Sequence, residues 1–291
     1  MKIVVCIPAR YDSTRFPGKV LAQDTGKYLV QHTYEQACKA RLPQSVLIAA
    51  DDERIVAAAE TFGAPCVLTR VDHQSGTDRI AEAVGEVDAD IVINVQGDEP
   101  NIDPAHIDRL AQLLIDNPDA PMATLATPLQ TAEQVADPNI VKAIVSSCVV
   151  RRVSREQRVG AGPRGCPSQE GQPQGVAPTQ DASRCTHHET GLAIYFSRCP
   201  IPYDRAQAGI GPADQYLRHI GIYAYRKDFL LTLTTLPQTP LETLEKLEQL
   251  RAVENGHAIL VGIVTDMSEG IDTPEQYAAF VRRYSKETVS D

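Results

Sequence analysis

The sequence predicts an α/β fold with a largely parallel sheet, and two observations carry that expectation. Short apolar runs of strand length recur along the chain, and amphipathic stretches of helical period lie between many of them. Strand alternating with helix is the pattern of a parallel sheet, whose ligands gather where its strands end. The first run, residues 2–7, leads straight into a polar loop at 8–19. A helix follows over 29–40, a strand over 45–50, a helix over 52–62 and another over 78–87. Then come a strand over 90–95, a helix over 104–115 and strands over 122–127, 141–150, 219–225 and 258–264. Before the last of these, Thr239 has the features of an N-cap, Pro240 of a first helical residue and Glu242 of a capping-box acid, with Asn255-Gly256 as the stop. That helix is expected to carry Leu244, Leu247, Leu250 and Val253 to the core, with Glu248 at the edge of the stripe. A final amphipathic helix begins after Thr273-Pro274.

Composition narrows the function classes. The 291 residues include 38 acidic against 28 basic side chains, a net charge of −10, and only 5% aromatics with no Trp. Such a chain is poorly suited to a duplex phosphate backbone or to stacking single-stranded bases, so nucleic acid is not an expected partner. Any anionic ligand has to be gripped by locally placed cations. No apolar run reaches transmembrane length, and the N-terminal residues show no secretory-signal pattern, so neither membrane insertion nor export is expected. Seven cysteines stand without a CxxC pair, which predicts a reduced, cytoplasmic protein, with Cys6, Cys66 and Cys148 as core residues.

Residues 159–183 differ in kind: 15 of these 25 residues are Gly, Pro, Gln or Ser and none is aromatic. This composition cannot bury enough apolar surface to offset the entropy of ordering it, and predicts a flexible insertion at about 150–190 within a single 1–291 domain. Cys166, Cys185, His187, His188 and Glu189 lie in or beside it, but their spacing fits no standard structural zinc pattern.

Three loops hold candidate chemistry. The stretch PARYDSTRFPGK, 8–19, puts Arg10, Arg15 and Lys19 within ten residues at a strand's carboxyl end, where α/β sheets bind polyphosphates. Its spacing is neither a P-loop nor a dinucleotide fingerprint, and on composition alone a solvated basic turn remains open. In NVQGDEP, 94–100, Gly97 permits close backbone approach and Asp98 suits Mg²⁺, with helix capping by Asp98 or Glu99 as the alternative. Asp272 in GIDTPE, 270–275, is in isolation a helix start and becomes a metal ligand only if paired with Asp98.

Taken in order, IPARYDSTRFPGK, TRVDHQSGTDR, NVQGDEP, LRHIGIYAYR, PLETLEKLEQLR and GIDTPEQY resemble the motifs of the 3-deoxy-manno-octulosonate (Kdo) cytidylyltransferases. The resemblance spans nearly the whole chain except about 150–190 and the extreme C-terminus. It implies a three-layer, nucleotide-diphospho-sugar transferase-like fold with a mostly parallel central sheet. It also implies CTP and Kdo as substrates, Mg²⁺ as cofactor, a role in lipopolysaccharide biosynthesis and a homodimer. By the same resemblance, Pro8, Ala9, Arg10 and Lys19, with Gln74, Ser75, Gly76 and Arg79, would bind the nucleotide. Asp98 and Asp272 would bind the metal, and with Arg10 and Lys19 would form the catalytic set. Arg15, Gln96, His219, Tyr223, Glu248 and Gln249 would surround the sugar acid, whose carboxylate and hydroxyls suit an Arg fork, an amide, a phenol and a carboxylate. The basic loop and QGDEP alone would also suit a transferase acting on another acid sugar, such as an amino-Kdo or a nonulosonate. LRHIGIYAYR and the LEQLR helix favour Kdo. A fold retained after loss of activity would have shed one of Arg10, Lys19, Asp98 or Asp272, and all four are present.

Overall fold

The structure is a computed structural model and describes residues 1–13, 15–146, 189–268 and 270–288. The expected insertion, apart from its flanking residues, lies outside the described residues, as do Cys148 and four of the five zinc candidates.

Nine strands form one sheet: β1 (Ile3–Ala9), β2 (Ser45–Ala50), β3 (Cys66–Leu68), β4 (Ile91–Asn94), β5 (Met122–Pro128), β6 (Lys142–Val145), β7 (Thr190–Ser197), β8 (Leu217–Arg226) and β9 (Ile259–Ile263). Their order is β3-β2-β1-β4-β8-β5-β9-β7-β6. The first four run parallel. β8 then enters antiparallel to both β4 and β5, and β7 is antiparallel to β9 and β6. The sheet is therefore mixed, which corrects the expectation of a mostly parallel one. The cause lies in β8: its apolar faces look the same to the core in either direction, so its residues carry no record of its reversal. β6 also pairs with the start of β8, so β8, β5, β9, β7 and β6 close into a ring of strands.

The helices are α1 (Leu29–Ala37), α2 (Glu53–Thr61), α3 (Gly76–Val84), α4 (Pro104–Asp116), α5 (Ala132–Ala136), α6 (Lys227–Leu233), α7 (Pro240–Glu245), α8 (Gln249–Glu254) and α9 (Pro274–Thr288). Both faces of the sheet are covered, giving three layers. Val30, Ile55, Ile107 and Leu110 of α1, α2 and α4 pack with Ile3, Val5 and Ile7 of β1. On the other face, Ile80, Leu230 and Leu250 of α3, α6 and α8 pack with Val4 and Cys6 of the same strand. That two-sided burial is why β1 reads as an unbroken apolar run. No helix among the described residues is long and apolar enough to cross a membrane.

In the helix expected after Thr239, Glu242 Oε2 accepts the Thr239 N–H at 3.2 Å as expected, yet the helix breaks at Lys246, whose φ of 56° is left-handed. Two short helices result, and Leu244 is 79% exposed rather than in the core, while Leu247 and Leu250 are buried as expected. The break lets α8 turn back so that Arg251 meets Glu242, through Nε at 2.9 Å and Nη2 at 2.5 Å. Both partners are buried, and this two-point ion pair pins α8 to the start of α7.

Candidate active site

At the carboxyl ends of β1 and β4, beside β8, lies a cleft of about 750 Å³. It is bounded by the loop after β1, the start of α3, the loop after β4, the inner face of β8, the α7–α8 break and the loop before α9.

The loop after β1 is held in shape by its own turn and by α2. Gly18 adopts φ 66° and donates its N–H to the Tyr11 carbonyl at 2.9 Å. The Tyr11 N–H donates to Asp51 Oδ1 at 2.8 Å, and the Arg54 guanidinium stacks 3.3 Å over the Tyr11 ring. Arg10 and Arg15 thereby stand exposed on the cleft wall. Lys19 instead turns inward, its side chain 12% exposed. Its ammonium donates to Asp98 Oδ2 at 2.5 Å, to the Ile271 carbonyl at 3.0 Å and to Asp272 Oδ1 at 3.1 Å. Desolvation pulls the Lys19 pKa down, but the two carboxylates outweigh it and hold the pKa above its ordinary value.

Asp98 and Asp272 thus converge, although 174 positions separate them (272 − 98). The Ile271 N–H donates to the Asp98 carbonyl at 2.8 Å, tying the loop after β9 to the loop after β4. A second tie joins the loop after β9 to α4, where His106 Nε2 in its first turn lies 3.4 Å from Asp266 Oδ1. A Cβ on Gly97 would stand 2.8 Å from the Pro8 carbonyl, so a side chain there would push β1 and β4 apart. Beside Asp98, Glu99 is buried with Oε2 lacking a hydrogen-bond partner, and burial, then Asp98, pushes its pKa up to about 8.

The opposite wall comes from β8. Thr124 pairs with Tyr223 while Leu125 pairs with Ile220, so Gly221 and Ile222 are two extra residues in β8. Thr124 Oγ1 satisfies this bulge, bonding the carbonyls of Ile220 (3.1 Å) and Ile222 (2.8 Å). Because the slip is of two residues, facing is preserved: His219, Gly221, Tyr223 and Tyr225 all line the cleft. The His219 ring lies 5.4 Å from that of Tyr223 and 4.9 Å from that of Phe196, and its Nε2 is 3.0 Å from Thr124 Oγ1. Desolvation pushes the His219 pKa down to about 3, leaving a neutral imidazole at pH 7.

Glu248 stands immediately before α8, and its side chain accepts a 2.9 Å hydrogen bond from Thr77 Oγ1 of α3. Desolvation raises the pKa of Glu248 against the opposing pull of that bond. Gln249 is buried, and its Nε2 has no hydrogen-bond partner. Gln96 Nε2 reaches Asn94 Oδ1 at 3.4 Å and the Gly221 carbonyl at 3.3 Å.

Twelve of the sixteen site residues read from the sequence line this one cleft: Pro8, Arg10, Arg15, Lys19, Gly76, Gln96, Asp98, His219, Tyr223, Glu248, Gln249 and Asp272. The other four sit behind or beside it. Ala9 is fully buried at the end of β1, and the Gln74 amide donates to the Asp72 carbonyl. Ser75 caps α3 by accepting the Asp78 N–H at 3.1 Å. Arg79 is fully buried, donating to Thr69 Oγ1 at 2.7 Å and reaching Asp51 Oδ2 at 3.4 Å, so it braces the loop beneath the cleft instead of facing into it. Residues of the cleft that the sequence reading passed over include Thr77, Asn94, Tyr225 and Arg251. One of them carried a signal: Tyr225 stands two positions from Tyr223 on β8, on the same strand face.

Comparison with known proteins agrees with this architecture. The family model described as Cytidylyltransferase matches residues 4–157 and 174–259. A 3-deoxy-manno-octulosonate cytidylyltransferase from Solibacter usitatus is 44% identical over 274 residues, 94% of this chain and 91% of that protein. The protein of the same name from Syntrophotalea carbinolica is 43% identical, covering 94% of this chain and 95% of its own. Among solved structures, a CMP:2-keto-3-deoxy-manno-octonic acid synthetase complexed with CTP superposes with TM-score 0.79 at 36% identity, covering 99% of this chain and all (100%) of that one. A cytidylyltransferase from Leptospira borgpetersenii, at 14% identity, 97% and 85% coverage and TM-score 0.54, shares the fold. The fold is thus that of a cytidylyltransferase. Within that class, the chain belongs to the 3-deoxy-manno-octulosonate cytidylyltransferase family.

Proposed function

We propose that the chain transfers CMP from CTP to the anomeric hydroxyl of 3-deoxy-D-manno-octulosonate, giving CMP-Kdo and pyrophosphate for lipopolysaccharide biosynthesis. The observation that carries this reading is the meeting of Asp98 and Asp272 at one cation, in a cleft whose other walls hold Arg10, Arg15 and the His219–Tyr223 face.

The donor set fits Mg²⁺. Two carboxylates and the Ile271 carbonyl gather round the Lys19 ammonium, and oxygen is what this hard ion takes. Bound by Asp98 and Asp272, Mg²⁺ would polarise the α-phosphate and neutralise charge on the reacting oxygens. The anomeric oxygen attacks the α-phosphorus in line, and the bond from that phosphorus to the bridging oxygen of the β-phosphate breaks. Arg10 and Lys19 stabilise the charge that builds on the departing pyrophosphate. Arg15, Gln96, Glu248 and Gln249 hold the sugar acid, with neutral His219 and Tyr223 as hydrogen-bonding partners for its hydroxyls. Gly76, with Pro8, borders the nucleotide, and Ser75 and Arg79 support that border through the cap of α3 and the Thr69 loop. No covalent enzyme intermediate is required. The same reading places the enzyme in the cytoplasm as a homodimer.

The test replaces Asp98 or Asp272 with Asn and measures pyrophosphate release from CTP and Kdo. A loss of at least about 100-fold in each is expected. Near-normal turnover in both removes the metal assignment, and a preference for UTP or GTP over CTP removes the cytidine reading. Mass in solution tests the dimer.

A further inference from the structure

Lys19 was expected to hold phosphate, yet it occupies the position between Asp98 and Asp272. Its three donor directions are spent on Asp98 Oδ2, Asp272 Oδ1 and the Ile271 carbonyl, the same oxygens that fit a divalent ion. We infer that Lys19 is the resident cation of the Asp98–Asp272 pair, and that the pair admits a divalent ion only when a nucleoside triphosphate draws the ammonium away. This rests on the proposed metal role of the two aspartates.

Three features carry the inference. First, the ammonium and a divalent ion would compete for the same few ångströms: a dication placed on both carboxylates would stand against an unmoved ammonium in a partly buried cleft, where like charges repel strongly. Second, what holds the carboxylates in place differs from what holds the lysine. The Asp98 carbonyl accepts the Ile271 N–H at 2.8 Å, and the Asp272 N–H donates to Gln276 Oε1 at 2.7 Å, so both aspartates are fixed through their backbones. Lys19 reaches them only through a four-carbon stem, which rotates freely once its partners are outcompeted. Third, Arg10 and Arg15 stand exposed on the same wall, and Arg15 Nη1 lies 3.6 Å from Asp272 Oδ2. A triphosphate drawn to Arg10 arrives beside Lys19 and offers its ammonium stronger acceptors. The aspartates remain where they were, preformed and freed of a competing charge.

Nucleotide and metal therefore bind with positive coupling, and the coupling is reciprocal. An enzyme filled in this order does not hold a divalent ion, or its hydrolytic reactivity, before the nucleotide is in place.

The experiment titrates Mn²⁺ against the full chain by electron paramagnetic resonance of the free ion, with and without a CTP analogue carrying a methylene between the α- and β-phosphorus. Wild type, Lys19→Met, Lys19→Gln, Asp98→Asn and Asp272→Asn are compared, with thermal melts to show that each is folded. Without nucleotide, both Lys19 variants are expected to bind Mn²⁺ at least about tenfold more tightly than wild type. Wild type is expected to gain affinity on addition of the analogue, and the Lys19 variants to gain less. Folded Lys19 variants that bind Mn²⁺ no more tightly than wild type without nucleotide overturn the inference. So does wild-type affinity that is the same with and without the analogue, a result that needs no variant. If the aspartate variants bind Mn²⁺ normally in the presence of the analogue, the metal reading itself fails. If they lose it while the Lys19 variants leave the nucleotide-free affinity unchanged, only the resident-cation inference fails.

Discussion

Replacing Arg251 with Met would expose how much the α7–α8 break depends on one ion pair. Arg251 and Glu242 are buried and joined at 2.9 and 2.5 Å, so removing the guanidinium leaves a carboxylate away from water with only the Thr239 N–H, at 3.2 Å, as partner. Stranding one member of a buried pair costs about 3–5 kcal/mol. For a chain of 291 residues, with an unfolding entropy of about 2.1 cal/mol/K per residue, that is a fall in Tm of roughly 5–8 °C. Replacing both partners, Glu242→Met with Arg251→Met, removes the stranded charge and should cost only the capping term, about 1 kcal/mol. Denaturant unfolding of both single variants and the double variant measures the coupling. Because Glu248 and Gln249 begin α8, the Arg251→Met variant should also raise KM for Kdo more than KM for CTP. A single-variant loss below about 1 kcal/mol, or a double variant as unstable as Arg251→Met, would show that the break is held by something else.

Other expectations follow from the same cleft. Glu99, raised by burial to about 8 from 4.5, contributes stability that is complete below about pH 4.5 and lost as pH rises towards 8. Glu99→Gln should therefore melt higher relative to wild type at pH 8 than at pH 5 in metal-free buffer; a difference independent of pH refutes this. Gly97→Ala brings a Cβ to 2.8 Å from the Pro8 carbonyl, so it should lower kcat/KM for CTP at least about tenfold with the circular dichroism unchanged. Unaltered kinetics would mean that the ends of β1 and β4 give way without moving Asp98.

Much of this was legible in the residues because the physics was local. β1, β2, β4, β5 and β9 are buried on both sides and show as apolar runs, and the caps of α3, α4 and α7 stand at Ser75, Asp103 and Thr239. What failed to show was set by distant partners. β3 has only three residues, too few for a period. The direction of β8 depends on its neighbours and not on its own sequence. Lys246 turns left-handed where Arg251 folds back on Glu242, a contact that no helical pattern encodes, and Leu244 loses its place in the core as a result. The site shows the same division. Arg10, Lys19 and Asp98 announce themselves by position after strands, but the burial of Arg79 follows from Asp51, 28 residues earlier. The meeting of Lys19 with Asp272 needs the whole sheet to be in place.

The ring formed by β8, β5, β9, β7 and β6 also bears on how the molecule meets its own kind. A sheet normally offers two open flanks, each a ready template for another chain's backbone. Here, among the described residues, Lys142 and Ala143 at one flank are covered by the β6–β8 pairing, and the other flank is β3, three residues long, where Val67 and Leu68 are exposed. Strand-by-strand growth between copies has almost nowhere to start. At the described flanks, little free ladder of backbone hydrogen bonds is left for another strand to extend, which guards this part of a large β-sheet against open-ended polymerisation.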